Sequence, residues 1–305
     1  EKTALAEAEI EYEDHTSTTI YARFPVTHAA HAALEGASII IWTTTPWTMP
    51  ANRAVAYGDD ISYQVTEVLA ANDGALCSKG DVVVIADHLA DSVITAIGAS
   101  ETKIRAHVMG REMAGSVAAH PMAGHGYDFD VPLLAGSHVT TEQGTGFVHI
   151  APGHGVEDYE LAHLKHGIAV PDTVGEDGVI LPHLPVFGGM HVLRDNAKIA
   201  EIMAEHKGVI GIGKLVHSYP HSWRSKAPLI YRNTAQWFVS MESHGLRDIA
   251  LGELAKTKFY PAAGQKRLTS MIPQRPDWCL SRQRAWGVPL TIFAHKQTGE
   301  PLRDP

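Results

Sequence analysis

Ala37-Ser38-Ile39-Ile40-Ile41-Trp42-Thr43-Thr44-Thr45-Pro46, residues 37–46, is the stretch on which the reading of the fold turns. Three consecutive isoleucines are stiff at χ1 and pack well on a pleated surface, so the segment predicts a buried strand. Pro46 stops it, because proline fixes φ and has no N–H for a ladder. Three hydroxyls precede the stop. Successive strand side chains point to opposite faces, so the threonines cannot share one side unless the extended geometry breaks at Pro46. Broken there, it presents several hydroxyls to one pocket. Hydroxyls donate and accept, which suits a ribose, an adenine edge or an ester carbonyl. Trp42 and Trp47 offer flat stacking surface. The plainer reading is a threonine-rich strand end with packed tryptophans.

Working outward, Thr18–Phe24, Ser62–Leu69, Asp81–Ala86 and Gly144–Ile150 predict further strands, and Lys103–Met109 and Ser116–His120 look extended. The opening, residues 3–13, combines helix-forming residues with strand-like alternation at Ile10 and Tyr12. Helices are predicted over Leu89–Ile97, Val156–His166 and Asn196–His206, the last two followed closely by Gly167 and Gly208. Many short strands with few helices over 15–195 predict an α+β fold whose β-barrel-like core carries peripheral helices. From about residue 210 basic and aromatic residues rise. Helices over Gly245–Lys256 and Gln265–Ile272 and a strand over Pro289–Ala294 make a smaller mixed C-terminal segment.

Composition narrows the function classes. Of the 305 residues 45% are apolar and 19% charged, enough to bury a substantial core. No run approaches the ~18 apolar residues of a membrane helix. Cys77 and Cys279 alone exclude a disulfide scaffold and a cysteine zinc module, and so few thiols fit the cytoplasm. Glu1-Lys2-Thr3-Ala4 has neither Met nor leader, as expected of a piece of a longer chain. Net charge is −9, yet residues 211–305 hold 14 basic and 6 acidic side chains. That asymmetry predicts either a polyanion at the C-terminal end or an acidic surface elsewhere in a larger protein.

A second motif is GTGFVHIAPGHGVEDY, residues 144–159. It reads as a strand ending near His149, a Pro-Gly-His-Gly turn, and a helix from about Val156. Backbone N–H groups at such a helix start attract carbonyl oxygens and anions. Asp158 in the first turn either complements the helix dipole or faces a pocket to pair with an ammonium. His149 is either a core histidine or a pocket wall. His149, His154 and Asp158 are conceivable metal ligands, but their spacing matches no common helical zinc motif, so no metal is expected. A third region interleaves cations and aromatics: Tyr219–Lys226, Tyr231-Arg232, Gln236–Phe238, then Lys256, Lys258, Lys266, Arg267 and Trp278–Gly287. It is either a nucleic-acid contact or a solvated face with amphipathic anchors.

Together WTTTPWTMPAN, GTGFVHIAPGHGVEDY, PHSWRSKAPLIYRNTAQWF and RPDWCLSRQRAWGVP, in that order, resemble the class I isoleucyl-tRNA synthetase family, specifically the connective-peptide insertion that carries its editing site. The HIGH and KMSKS signatures do not occur. The resemblance implies an editing domain over 16–209, with 1–15 and 210–305 as segments leading to and from the aminoacylation domain. It implies hydrolysis of mischarged valyl-tRNA(Ile), and of valyl-adenylate in addition, by direct attack of water. For isoleucine against valine, a standard case rather than a quantity derived from this chain, one methylene discriminates by only ~1–3 kcal/mol, hence a second sieve. Residue by residue, Asp158 matches the carboxylate that binds the substrate ammonium and His149 the histidine that limits side-chain size. Thr43, Thr44 and Thr45, with Trp42 beside them, match the strip that holds the terminal adenosine and places the water. Asn52 matches an editing residue in the same strip. Asp158, His149 and Thr44 are the expected catalytic set. No cofactor is implied for this part; ATP and Mg2+ belong to the full-length ligase. The implied partners are the tRNA(Ile) acceptor end carrying valine and the remaining domains of the same synthetase, in a cytoplasmic monomer with no membrane contact. The alternative is a fragment that binds tRNA or ligand without turnover.

Overall fold

A computed structural model of the protein describes residues 2–282, 287–296 and 298–303. The chain forms two compact units, a larger one of Glu7–Asn233 and a smaller one of Glu1–Ala6 with Thr234–Pro305.

In the larger unit, β1 (Ile10–His28), β2 (Ser38–Thr43), β3 (Ala54–Tyr57), β4 (Ser62–Ala71), β5 (Val82–Ala86), β6 (Ala99–Met109), β7 (Val117–Ala119), β8 (Asp130–Ala135), β9 (Phe147–Ile150) and β10 (Val209–Ser222) form one mixed sheet. Its order is β6-β4-β5-β2-β1-β7-β8-β3-β9, with β10 on β1. The isoleucine run is the middle of β2, and Ile39, Ile40 and Ile41 are fully buried. β2 lies parallel to β5, Ser38 facing Val83, and β5 is buried at every position. Parallel strands covered on both faces read as continuous apolar runs, which is why both segments lack polar alternation.

The alternation at Ile10 and Tyr12 prevails over helix propensity. Ile10–Ala22 pairs antiparallel with Val209–Ser222, while Ile20–Pro25 also pairs β2 and Val26 and His28 pair β7. This long ribbon carries the larger unit out to 6/7 and 233/234, beyond the boundaries at 15/16 and 209/210 expected from the sequence. β9, at the far end of the path, packs back against β2. The core is thus barrel-like without hydrogen-bonded closure: among the described residues no ladder joins β6 to β9. That return places the end of β2 beside the end of β9, where the candidate site lies.

Entry to β9 depends on Gly146, at φ +80°, where a Cβ would collide with the Ala86 side chain. The Tyr63 hydroxyl donates to the Gly146 carbonyl at 2.7 Å and its ring lies 4.4 Å from that of Phe147, pinning the strand start to β4. Helices α1 (Ala90–Ala96), α2 (Val156–Tyr159) and α3 (Asn196–Glu205) are peripheral. α2 is short: a π-type segment, Glu160–Lys165, continues it in place of the regular helix predicted over Val156–His166.

The smaller unit holds α4 (Leu246–Lys256), α5 (Ala263–Met271) and a two-stranded ladder of β11 (Phe238–Val239) with β12 (Trp278–Cys279). Arg247 donates to the carbonyls of Ile272, Pro273 and Arg275, so this cation organises its own unit. Residues 289–294 form no strand; Ala294 makes only an isolated bridge to Pro301. Residues 283–286 of the RPDWCLSRQRAWGVP segment lie outside the described residues. Among the described residues no helix is long and apolar enough to cross a membrane.

Candidate active site

Where β2 ends, proline makes the pocket. Pro46 opens a tight 3-10 turn, Pro46–Ala51, in which Thr48 N–H donates to the Thr45 carbonyl at 2.9 Å. In such a turn side chains three apart eclipse, so Thr48 comes up beside Thr45. The hydroxyls form a chain: Thr43 to Thr45 at 3.1 Å, Thr45 to Thr48 at 3.4 Å. Facing them are Val148 and His149 on β9, Ala151 and His154 in the following turn, and Asp158 on α2. Trp42, Thr43, Thr45 and Thr48 complete a cavity of about 230 Å3.

His149 is held at both ring nitrogens. Asn52 Nδ2 donates to the Ala54 carbonyl at 2.8 Å, which fixes the amide orientation, and the same nitrogen lies 3.0 Å from His149 Nδ1. Nδ1 therefore accepts, and the proton sits on Nε2, 2.8 Å from Thr48 Oγ1. Thr48 turns its own hydroxyl hydrogen to the Thr45 carbonyl at 2.9 Å. Burial drives the His149 pKa down to about 3, helped by His154 and His120, so the ring is neutral near pH 7. With its lone pair taken and its proton directed at Thr48, this imidazole lines the cavity with neither ring nitrogen free.

Asp158 is the third residue of α2, and one of its oxygens accepts the Ala151 N–H at 2.8 Å. Burial raises its pKa to about 6; the Ala151 hydrogen bond pulls the other way and Glu157 adds to the rise. Among the described residues no cation pairs with it. A half-buried carboxylate, one oxygen anchored and no counterion, fits an ammonium ligand.

His154 has both nitrogens committed away from the cavity, Nδ1 2.7 Å from the Tyr231 carbonyl and Nε2 2.9 Å from Thr173 Oγ1. Among the described residues no group of three His, Cys, Asp or Glu side chains is placed to hold a metal.

The structure thus brings Trp42, Thr43, Thr45, His149 and Asp158 to one cavity. Asn52, fully buried, stands behind His149 rather than in the lining. Thr44 sits partly buried at the bend after β2, outside the strand, and does not line the cavity. Thr48 and His154 line the cavity, although the sequence motifs assign neither a substrate contact. The signal for Thr48 is a hydroxyl three residues after Thr45 across a proline-started turn.

The chain is similar to known proteins along its whole length. The family described as tRNA synthetases class I (I, L, M and V) matches residues 1–304. Isoleucine–tRNA ligase of Pelagibacter ubique (strain HTCC1062) is 50% identical over 304 residues, covering 100% of this chain and 33% of that protein. The isoleucine–tRNA ligase of Gluconobacter oxydans (strain 621H) is 48% identical over 319 residues, again 100% of this chain and 33% of the relative. Among solved structures, that of GlLeuRS-CP1 aligns with a TM-score of 0.49 at 10% identity, covering 64% of this chain and 98% of its own. The P. knowlesi cytosolic leucyl-tRNA synthetase editing domain aligns at 0.46 and 9% identity, covering 70% and 100%. The chain spans about a third of the length of the curated relatives it matches, and it belongs to the family of class I tRNA synthetases (I, L, M and V).

Proposed function

We propose that the cavity is an editing site that hydrolyses the ester of valine mischarged onto tRNA(Ile). The supporting observation is the Asp158 carboxylate, anchored by Ala151 and unpaired, opposite a wall of threonine hydroxyls and a neutral histidine. The valyl ammonium pairs with Asp158, which orients the ester toward the threonines. Thr45 and Thr48 hold the attacking water and the terminal ribose, and Trp42 and Thr43 frame the adenosine; Thr44, outside the cavity lining, takes no part in this reading. Water adds to the ester carbonyl carbon, the C–O bond to the ribose breaks, and the released ribose oxygen takes up the proton. Hydroxyls and backbone N–H groups near the start of α2 stabilise the oxyanion. His149, fixed by Asn52 and Thr48, blocks the extra methylene of isoleucine. This route calls on no metal or cofactor. The acceptor end arrives on tRNA(Ile), delivered by the remaining domains of the same synthetase in the cytoplasm, and valyl-adenylate enters the same cavity.

Deacylation of valyl-tRNA(Ile) by Asp158→Ala tests this reading. Loss of one charge-assisted contact predicts a rate about 10- to 150-fold lower. An unchanged rate contradicts it.

A further inference from the structure

His154 sits where three segments meet. Its ring lies edge-on to Trp47, centroids 5.1 Å apart, and Trp47 belongs to the same turn as Thr48. A carbonyl can only accept, so Nδ1 carries the proton and donates to Tyr231 O at 2.7 Å. Nε2 then accepts from the hydroxyl of Thr173, 2.9 Å away and buried. The strap of residues 229–233 is tied at further points. Asn233 N–H donates to the Gly153 carbonyl at 2.7 Å, Arg232 donates to the Val174 carbonyl at 3.1 Å, and Tyr219 Oη donates to the Leu229 carbonyl at 2.9 Å. Gly153 lets the strap come this close: a Cβ there would stand 3.1 Å from Asn233 Oδ1 and 3.3 Å from the Pro171 carbonyl. The turn so held, Pro152–His154, joins the strand bearing His149 to the helix bearing Asp158.

We infer that His154 is a positioning residue that ties the strap of residues 229–233 to the threonine turn, so that the strap's placement sets the shape of the hydrolytic cavity. Chain continuity makes the strap the last stretch of the larger unit before the smaller one begins at Thr234. Displacement of the strap pulls on the His154 ring, and through Trp47 on Thr48, while Asn233 pulls on the turn between His149 and Asp158. Cavity width, and with it the discrimination of valine from isoleucine, follows the strap. This extends the editing reading and relies on it for its activity arm only.

The test uses the full chain with His154→Phe, which keeps a ring against Trp47 but loses both hydrogen bonds, and His154→Gln, whose amide can restore them. Hydrogen exchange at the Asn233 amide and the ratio of valyl- to isoleucyl-tRNA(Ile) hydrolysis are both read. With the lost hydrogen bond to the strap carbonyl contributing about 1 kcal/mol, His154→Phe is expected to speed Asn233 exchange about fivefold and lower the ratio by a similar factor. His154→Gln is expected to recover most of both. Wild-type exchange at Asn233 in His154→Phe overturns the inference, whatever the activity does. Should His154→Phe fail to fold, Arg232→Ala decides, since Arg232 belongs to the strap, anchors it to Val174 and does not line the cavity: the ratio falls about threefold if the strap sets the cavity, and an unchanged ratio overturns it. A wild-type chain with no valyl-tRNA hydrolysis refutes the editing reading, while the exchange result still decides the role of His154.

Discussion

Asn52 Nδ2 lies 3.0 Å from His149 Nδ1 and 2.8 Å from the Ala54 carbonyl, so a buried amide dictates which nitrogen of the cavity histidine carries the proton. The fully buried Asn52 has its other amide atom, Oδ1, without a hydrogen-bond partner. An orphaned buried acceptor costs stability, so what this amide contributes is the fixed orientation of the ring.

The first prediction concerns that tautomer. Nitrogen-15 shifts of the His149 ring are expected to place the proton on Nε2 in the wild type. In Asn52→Ala the Nδ1 acceptor is released and both tautomers become populated. A wild-type ring in the Nδ1–H form refutes the assignment.

Thr48 supplies the acceptor for the Nε2 proton and is the second target. Thr48→Val removes that hydroxyl at nearly constant volume and leaves a buried N–H unpaired, a penalty of about 1–3 kcal/mol. Valyl-tRNA(Ile) hydrolysis is expected to fall about tenfold or more, with Thr48→Ser close to wild type. Equal rates for the Val and Ser variants separate Thr48 from the reaction.

The pH response follows from opposed shifts. His120 is buried, donates to the Met49 carbonyl at 2.9 Å, and is driven by burial to a pKa of about 4. A histidine pKa depressed on folding gives stability that is complete above about 6.5 and lost as pH falls toward 4. The loss is about 3 kcal/mol for a shift of this size. His149 acts in the same direction and down to about 3. Asp158, raised to about 6, acts the other way: its contribution is fullest below its ordinary value of 3.8 and lost as pH rises through 6. Two histidines outweigh one carboxyl, so denaturation midpoints are expected to drop between pH 6.5 and 4, with a flatter slope in His120→Asn. Equal slopes contradict the assignment to His120.

Much of the site is legible in the sequence because its parts are local. The run Ile39–Ile41 announces a buried strand, Pro46 announces its end, and the hydroxyls between them stand out in composition. The histidine and carboxylate nine positions apart fall on the end of one strand and the start of one helix. Long-range pairing is less visible. The strand Val209–Ser222 carries histidines, a lysine and a proline that mask its alternation, and only its thirteen-residue register with Ile10–Ala22 reveals it. The inward turn of Thr48, and the place of Thr44 outside the lining, depend on a 3-10 turn whose geometry a strand reading does not contain. The sequence leaves His154 a conceivable ligand, because the carbonyl and hydroxyl that occupy its nitrogens lie 77 and 19 residues away.

Crystals of the chain with a non-hydrolysable valyl-adenosine analogue give the most direct check. The bound ammonium nitrogen is expected about 2.7–2.9 Å from the free Asp158 oxygen, with the isopropyl group against His149. An analogue bound with its ammonium elsewhere, leaving Asp158 unpaired, contradicts the account.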